Sequence, residues 1–375
     1  MQLHMSKPYY NLITFYVIFL LFGSFSTSIL PTYFLEQGLT LNQMMLGKVI
    51  YFFGQLIFLF TLKNLFAKFS WRMALVTSIA YIFLIINLQS LVPFYIGQFI
   101  SGTSLFFFFV FYNIAHFELT PKEKTANSSA LMFILPSLVS IFAPLAAGYL
   151  AQLNIIFIWI ISTLLFIVCF YLVKYQTDFQ VVYSIKQSLG EIKTTRIFIF
   201  LEGLWEALPF GIIPIYTLFF IKEPLPFGLY LSYLSFISIV ANFLLGRFSD
   251  KIRKRVIFLY PITLAIAIVT FLFPLSTNNL IVWVFLTTLL QLLIPIFWNV
   301  STAFFVDSHT DLKKTIPGRE IVLAIGRLIG LALAFISFTI EKQPNYIFLV
   351  LGLFMLLYPV ILYIRTKIRK SHVYL

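Results

Sequence analysis

The chain has 375 residues, of which 61% are hydrophobic and only 10% charged, and its formal net charge is +13. A soluble chain carries roughly a quarter charged residues, and 46 Phe and 20 Tyr are more aromatic surface than one water-excluded core of this size holds. These figures exclude a soluble globular protein and make lipid the solvent for most of the chain.

Apolar runs of about 20 residues, enough to cross about 30 Å of hydrocarbon, predict twelve spans. The first six cover 10–33, 40–62, 73–91, 93–117, 127–150 and 154–174. The second six cover 196–221, 227–246, 255–274, 279–305, 317–340 and 345–364. The first apolar run, 9–34, is too long for a signal-peptide core and lacks a small-residue cleavage site, so it reads as span 1. A polar stretch at 175–195 divides the chain into a six-helix bundle at 1–174, a linker, and a second bundle at 196–375. Within the linker, "SLGEIKTTR" predicts a short interfacial helix. The fold class is therefore all-α integral membrane, twelve transmembrane helices as two pseudo-symmetric bundles. The single cysteine, Cys169, sits mid-span and reads as inert packing, and four scattered histidines show no metal-ligand spacing. No metal or cofactor is expected.

The basic residues sort by side. An even number of spans puts both termini on one side, and about 21 Lys and Arg fall there, against Lys222 and Lys342 on the other. That asymmetry is the positive-inside signal, which places both termini in the cytoplasm of a cell membrane. The basic excess is a topology determinant, and no nucleic-acid partner is expected.

The two halves repeat. "SILPTYF" (28–34) recurs as "GIIPIYT" (211–217), aligning Pro31 with Pro214 and Tyr33 with Tyr216. "FYNIA" (111–115) matches "FWNVS" (297–301), aligning Asn113 with Asn299, and the basic loops after spans 2 and 8 align Lys68 with Lys251 and Arg72 with Arg255. Because each repeat has an even number of helices, the halves are related by an axis along the membrane normal, an arrangement that places a site at their interface.

The loop "GRFSDKIRKR" (246–255) resembles the G-x-x-x-D-[RK]-x-G-[RK]-[RK] signature of the major facilitator superfamily, matching at Gly246, Asp250, Lys251, Lys254 and Arg255. Arg247 belongs to the same loop. The first-half loop "KNLFAKFSWR" (63–72) is degenerate, with Ala67 where the Asp stands. "VSIFAPLAAG" (139–148) is similar to the span-5 pattern of drug/proton antiporters, matching at Pro144 and Gly148, with Ala143 and Ala147 in place of Gly. Gln98 stands where many members carry Arg. The resemblance covers nearly the whole chain as twelve spans in two halves. It implies a gate in which Asp250 meets the start of span 11. Physically, span 11 is expected to open at "IPGRE" with Pro317 in its first turn, where a carboxylate accepts from free N–H groups. Asn113 and Asn299, near the ends of spans 4 and 10 on the side of the termini, are further gating candidates.

Four ionisable groups fall well inside the predicted spans: Lys48, Glu202, Glu206 and Arg327. Central Lys, Arg or Asp costs about 2.5–3.5 kcal/mol on insertion scales, so each needs a partner or a wet cavity. At 1.5 Å per residue, Glu206 and Arg327 lie about 15 Å deep and Lys48 about 12 Å, all near the midplane. In the superfamily the central cavity is lined by helices 1, 4, 7 and 10 with 2, 5, 8 and 11 beside them, which implies that these groups share one cavity. Two cations and two anions there are nearly neutral. Glu202 and Glu206, at i and i+4, share a helix face about 6 Å apart. One of them is expected to carry a proton while Arg327 pairs with the other. Greater depth favours Glu206, and which of the two titrates is left open. Aromatic runs such as "LFFFFVF" (105–111) read as packing or lipid-facing surface.

The expected function is secondary transport of a small solute by alternating access, by a monomer in the lipid bilayer, coupled to protons and leaning to export. A uniporter of an anionic or zwitterionic solute is the alternative. A polytopic membrane enzyme is disfavoured, since catalytic clusters, large outer loops and a nucleotide motif are all missing from the sequence.

Overall fold

The computed structural model describes residues 6–86, 88, 90–120, 125–249, 255–340 and 344–368, with the backbone alone at 125–127, 244–249, 255–257 and 367–368. Among them, twelve helices are long and apolar enough to cross a membrane. Spans 1 to 6 are Lys7–Glu36, Leu41–Thr61, Ala67–Ile86, Leu91–Glu118, Ser128–Leu153 and Ile156–Tyr175. Spans 7 to 12 are Arg196–Phe219, Pro224–Phe243, Phe258–Ser276, Leu280–Asp307, Leu312–Ile340 and Tyr346–Thr366. The chain is a multi-pass membrane protein. Twelve passes bring both ends to one side, the terminal side; the opposite face is the far side.

Local chemistry sets the turns. Gly38, at φ 83°, closes span 1 in the left-handed region that glycine enters without a Cβ clash. Span 2 then opens with a capping box: Thr40 Oγ1 accepts from the Gln43 N–H at 3.3 Å, and Gln43 Oε1 accepts from the Thr40 N–H at 2.8 Å. Asn279 starts span 10 by accepting from the N–H groups of Ile281 and Val282 at 2.9 and 3.2 Å.

The internal repeat has a structural counterpart. Span 1 breaks after Thr27 and restarts at Leu30 with Pro31 in its first turn. Span 7 widens into a π-helical segment at Leu208–Ile212 and restarts at Ile213 with Pro214 in its first turn. Proline has no N–H to close the helical bond to the preceding turn, so both first helices of the halves loosen at the aligned position.

Three boundaries differ from expectation, with consequences. Span 3 begins at Ala67 rather than 73, which puts Lys68 and Arg72 in its first turns. The residues before it, Asn64–Phe66, form a short antiparallel ladder with Gln180–Val182 of the linker, Leu65 opposite Val181. Asp178 Oδ1 accepts from the Lys68 N–H at 3.0 Å and reinforces the join. The linker helix covers Ile185–Glu191, earlier than the predicted "SLGEIKTTR". It lies on span 11, where a Cβ on Gly318 would stand 2.6 Å from the Ser188 carbonyl oxygen. The linker therefore straps the span 2–3 turn of one half to span 11 of the other.

Span 11 begins at Leu312, not at Pro317, which is an interior residue. The reason is Asp311, whose Oδ1 accepts from the Lys314 N–H at 3.3 Å and whose Oδ2 holds the Lys314 ammonium at 2.6 Å. That side-chain contact holds the Asp311 carboxyl below its ordinary range. A carboxylate, Asp311, thus caps span 11; the contact expected of Asp250 with this helix lies outside the described residues.

Glycines decide how closely the spans approach. A Cβ on Gly203 of span 7 would stand 2.5 Å from the Leu323 oxygen of span 11, and one on Gly326 would stand 2.6 Å from the Phe200 oxygen. One on Gly330 would collide with the Leu204 oxygen. Spans 7 and 11 therefore touch backbone to backbone, through the small-xxx-small spacing of Gly326 and Gly330. Across the halves, Gly148 of span 5 and Gly228 of span 8 do the same on the far side, against the carbonyls of Pro224 and Pro144. Thr339 Oγ1 also donates to Asn42 Oδ1 there, at 3.2 Å, joining spans 11 and 2.

Gly326→Val puts branched carbons into backbone and should destabilise the folded protein by about 1–3 kcal/mol. Gly23→Ala, where nothing stands within 4 Å of the added carbon, should leave the unfolding temperature unchanged or slightly raised. Thermal unfolding of both purified variants checks the contrast.

Candidate functional site: a charged cavity between the halves

The close seam of spans 7 and 11 places two carboxylates against two guanidinium groups. Glu202 and Glu206 follow each other by one helical turn on span 7, and both are 3% exposed. Arg327 donates to Glu206 Oε2 from Nε and from Nη2, each at 2.7 Å. Its guanidinium carbon also lies 5.6 Å from the Phe52 ring centre and 5.2 Å from that of Phe210, so aromatic faces cover the charge on two sides.

The second arginine is Arg319. Its Nη2 lies 3.1 Å from Glu202 Oε1, and its Nη1 lies 3.5 Å from Glu320 Oε1. One guanidinium therefore serves two carboxylates. Asn113 Nδ2 of span 4 also donates to Glu320 Oε1 at 3.3 Å, tying the first half to span 11. Thr302 of span 10 accepts weakly from Arg319 at 3.4 Å.

All of these groups line one cavity of about 410 Å³ at the interface of the halves, together with Lys48. A cavity of this volume is within the range of small-molecule sites. Its apolar wall is aromatic: Phe210 stacks on Trp298 at 5.5 Å and 10°, and Phe133 on Trp298 at 6.0 Å and 27°. Lys48 has no carboxylate partner among the described residues, and its ammonium lies 5.4 Å over the Tyr51 ring.

The four groups singled out from the sequence thus come together, with Arg327 on Glu206 and Arg319 on Glu202. Arg319 and Glu320 were missed. With Pro317 taken as the first turn of span 11, both fell at the membrane edge. The start at Leu312 moves them a turn and a half inward. The formal balance becomes three cations and three anions. Of the gating candidates, Asn113 lines the cavity, whereas Asn299 is buried in span 10 and is not a lining residue. Pro144 and Gly148 lie in the contact of spans 5 and 8. Gly246, Arg247 and Arg255 stand on helical backbone at the terminal-side ends of two helices, and Asp250 and Lys251 lie outside the described residues. In "LFFFFVF", Phe106, Phe107, Phe108 and Phe111 are buried in packing, while Leu105 and Phe109 line the cavity. Cys169 is buried and free. Among the described residues, no group of three or more His, Cys, Asp and Glu is placed to hold a metal ion.

No family model and no curated protein sequence matches the chain. Solved structures do. The chain is similar to the xylose transporter XylE from E. coli in a partially occluded inward open conformation, with TM-score 0.70 and 10% identity, over 97% of this chain and 98% of that one. It is similar to FucP, a major facilitator superfamily transporter in the outward conformation, with TM-score 0.67 and 14% identity, over 96% and 99%. A bacterial homologue of the iron transporter ferroportin, outward-facing with soaked iron, gives TM-score 0.67 at 11% identity, over 96% and 100%. Likeness along the whole length at such low identity establishes the fold: twelve membrane helices in two pseudo-symmetric six-helix bundles, the major facilitator fold.

Removing one partner of a buried ion pair leaves an uncompensated charge, which costs about 3–5 kcal/mol. Arg327→Met should therefore lower the unfolding temperature sharply, and Glu206→Leu combined with Arg327→Met should recover most of the loss. Thermal unfolding of the single and double variants in one detergent checks this.

Proposed function

We propose that the protein is a secondary transporter that moves a small solute across the cell membrane by alternating access, coupled to protons. Both termini lie in the cytoplasm, as the placement of basic residues supports. The observation that carries the reading is Arg319 shared between Glu202 and Glu320, buried around a cavity that both halves line. One guanidinium cannot neutralise two carboxylates. The second carboxylate charge is satisfied by a proton or by a cationic group of the solute, and competition between the two is what exchange requires.

Geometry links that proton to a gate. On the far side the halves meet at backbone level, Gly148 on Pro224 and Gly228 on Pro144. On the terminal side spans 4 and 11 are joined by Asn113 with Glu320, and by a half-exposed pair, Lys313 and Glu118, at 3.7 Å. Among the described residues the terminal-side closure is the weaker one. A proton taken up by the Glu202–Glu320 pair lowers the charge that Arg319 and Asn113 hold, so it loosens spans 4 and 11 and opens the cavity to the terminal side. In this reading the proton belongs to the Glu202–Glu320 pair, and Glu206 keeps its partner Arg327. The span-5 pattern around Pro144 and Gly148, packed on span 8, favours export.

The gate is tested by accessibility. Met132 is buried and lines the cavity from span 5, and the one native cysteine is buried. In Met132→Cys, labelling by a membrane-impermeant maleimide from the terminal side should accelerate as pH falls. Adding Glu320→Gln should accelerate it about tenfold at neutral pH, the worth of a charge-assisted hydrogen bond, and remove the pH dependence. Labelling indifferent to both pH and Glu320→Gln overturns the coupling. Proteoliposomes loaded with a pH dye and offered small solutes should show solute-driven pH change that Glu202→Gln abolishes.

A further inference from the structure

The cavity's uncompensated groups lie at opposite ends. At one end, Glu202 and Glu320 share Arg319, leaving about one negative charge in excess. At the other end stands Lys48, with no carboxylate partner among the described residues. Lys48 is level with Gly211 of span 7, since its Cβ lies 3.9 Å from where a Cβ on Gly211 would stand. Gly211 is nine residues beyond Glu202, which is about 13 Å along the helix. Lys48 and Tyr51 also line a second cavity of about 110 Å³ on the far-side face of the site, so the ammonium stands where the two spaces meet.

The neutral polar atoms follow the same order. Gln55 is two turns from Lys48 on the same face of span 2, toward the acidic end. Gln55 Oε1 and Asn113 Oδ1 are buried acceptors with no hydrogen-bond partner, and both residues line the central cavity. Each asks for a donor, beside the carboxylate excess. Trp298 Nε1, a buried donor, is also without a partner, in the middle of the stack formed with Phe210 and Phe133. Unpartnered buried polar atoms are costly, and here they surround a space that a ligand can fill.

Resting on the transport reading above, we propose that the solute is an elongated amphoteric molecule with a flat apolar body. Its anionic group meets Lys48, its body lies on the Phe210–Trp298 face, and its ammonium or similar donor meets Glu202, Glu320, Gln55 and Asn113. A simple anion leaves the acidic end uncompensated, and a simple cation leaves Lys48 so. With part of the 13 Å spanned by the lysine stem, the two charges of the solute stand roughly 10 Å apart. An α-amino acid, with both charges on one carbon, does not reach both ends.

The test is equilibrium binding to the purified full-length protein by calorimetry, which needs no transport. Four probes are compared: 4′-(aminomethyl)biphenyl-4-carboxylate, biphenyl-4-carboxylate, 4-phenylbenzylamine and phenylalanine. The amphoteric biphenyl should bind about tenfold or more tightly than either singly charged analogue, the worth of one charge-assisted contact, and phenylalanine should bind weakest. Lys48→Met should bring its affinity to that of the amine alone, while Lys48→Arg should preserve it. Equal affinity for one singly charged biphenyl overturns the proposal, as does amphoteric binding indifferent to Lys48→Met. The comparison among probes on the unaltered protein decides the matter even if Lys48→Met fails to fold. Binding in the expected order with no flux in proteoliposomes would sink the transport reading and leave this one standing. Proton-coupled flux of another solute, unchanged in Lys48→Met, would do the reverse.

Discussion

The site depends on one contact, the backbone seam between spans 7 and 11. Lipid is as apolar as the helix surfaces, so nothing like the hydrophobic effect in water presses two spans together. What holds them is packing and polar pairing, and Gly203, Gly326 and Gly330 permit both. With no side chains between the two backbones, span 7 can set its turn-spaced carboxylates directly against span 11. Arg319 then reaches Glu202, and Arg327 reaches Glu206. A larger residue at any of the three glycines would open the seam and leave two buried carboxylates and two part-buried guanidinium groups without their counter-charges.

Within that frame the charges are balanced in number and unbalanced in place. Arg327 has one carboxylate to itself and aromatic faces on two sides. Arg319 has two carboxylates, and among the described residues Lys48 has none. A low-dielectric cavity magnifies such local inequality. In the transport reading proposed above, the Glu206–Arg327 pair is a fixed strut, and the Glu202–Arg319–Glu320 group is the part whose occupancy changes. It is also the part bonded across the halves, through Asn113. Among the described residues, spans 4 and 11 meet on the terminal side through side chains, while spans 5 and 8 meet on the far side through main chain. That contrast is the kind of bistability alternating access requires.

The linker adds a constraint between the halves. Its strand pairs with the turn before span 3, and its short helix lies on the first turns of span 11, at Gly318. Any movement of one half against the other has to carry this strap along, so the start of span 11 is tied both to the proposed gate and to the connection between the bundles.

Hydrophobicity and charge placement made the twelve spans and the position of Lys48, Glu202, Glu206 and Arg327 inside them legible in the sequence. The reason is that hydrocarbon thickness is a one-dimensional constraint, and depth along a helix can be counted residue by residue. The aligned prolines at 31 and 214 were legible for a similar reason, since a missing N–H acts locally. Arg319 and Glu320 were not legible, because a proline five residues into span 11 has the signature of a first turn, and the cap that starts the helix earlier is the side chain of Asp311. Which arginine meets which glutamate, the shared position of Arg319, and the place of Lys48 at the other end of the cavity belong to rotation and approach of helices far apart in sequence. Those are set by where glycines let backbones touch, and only the tertiary structure decided them.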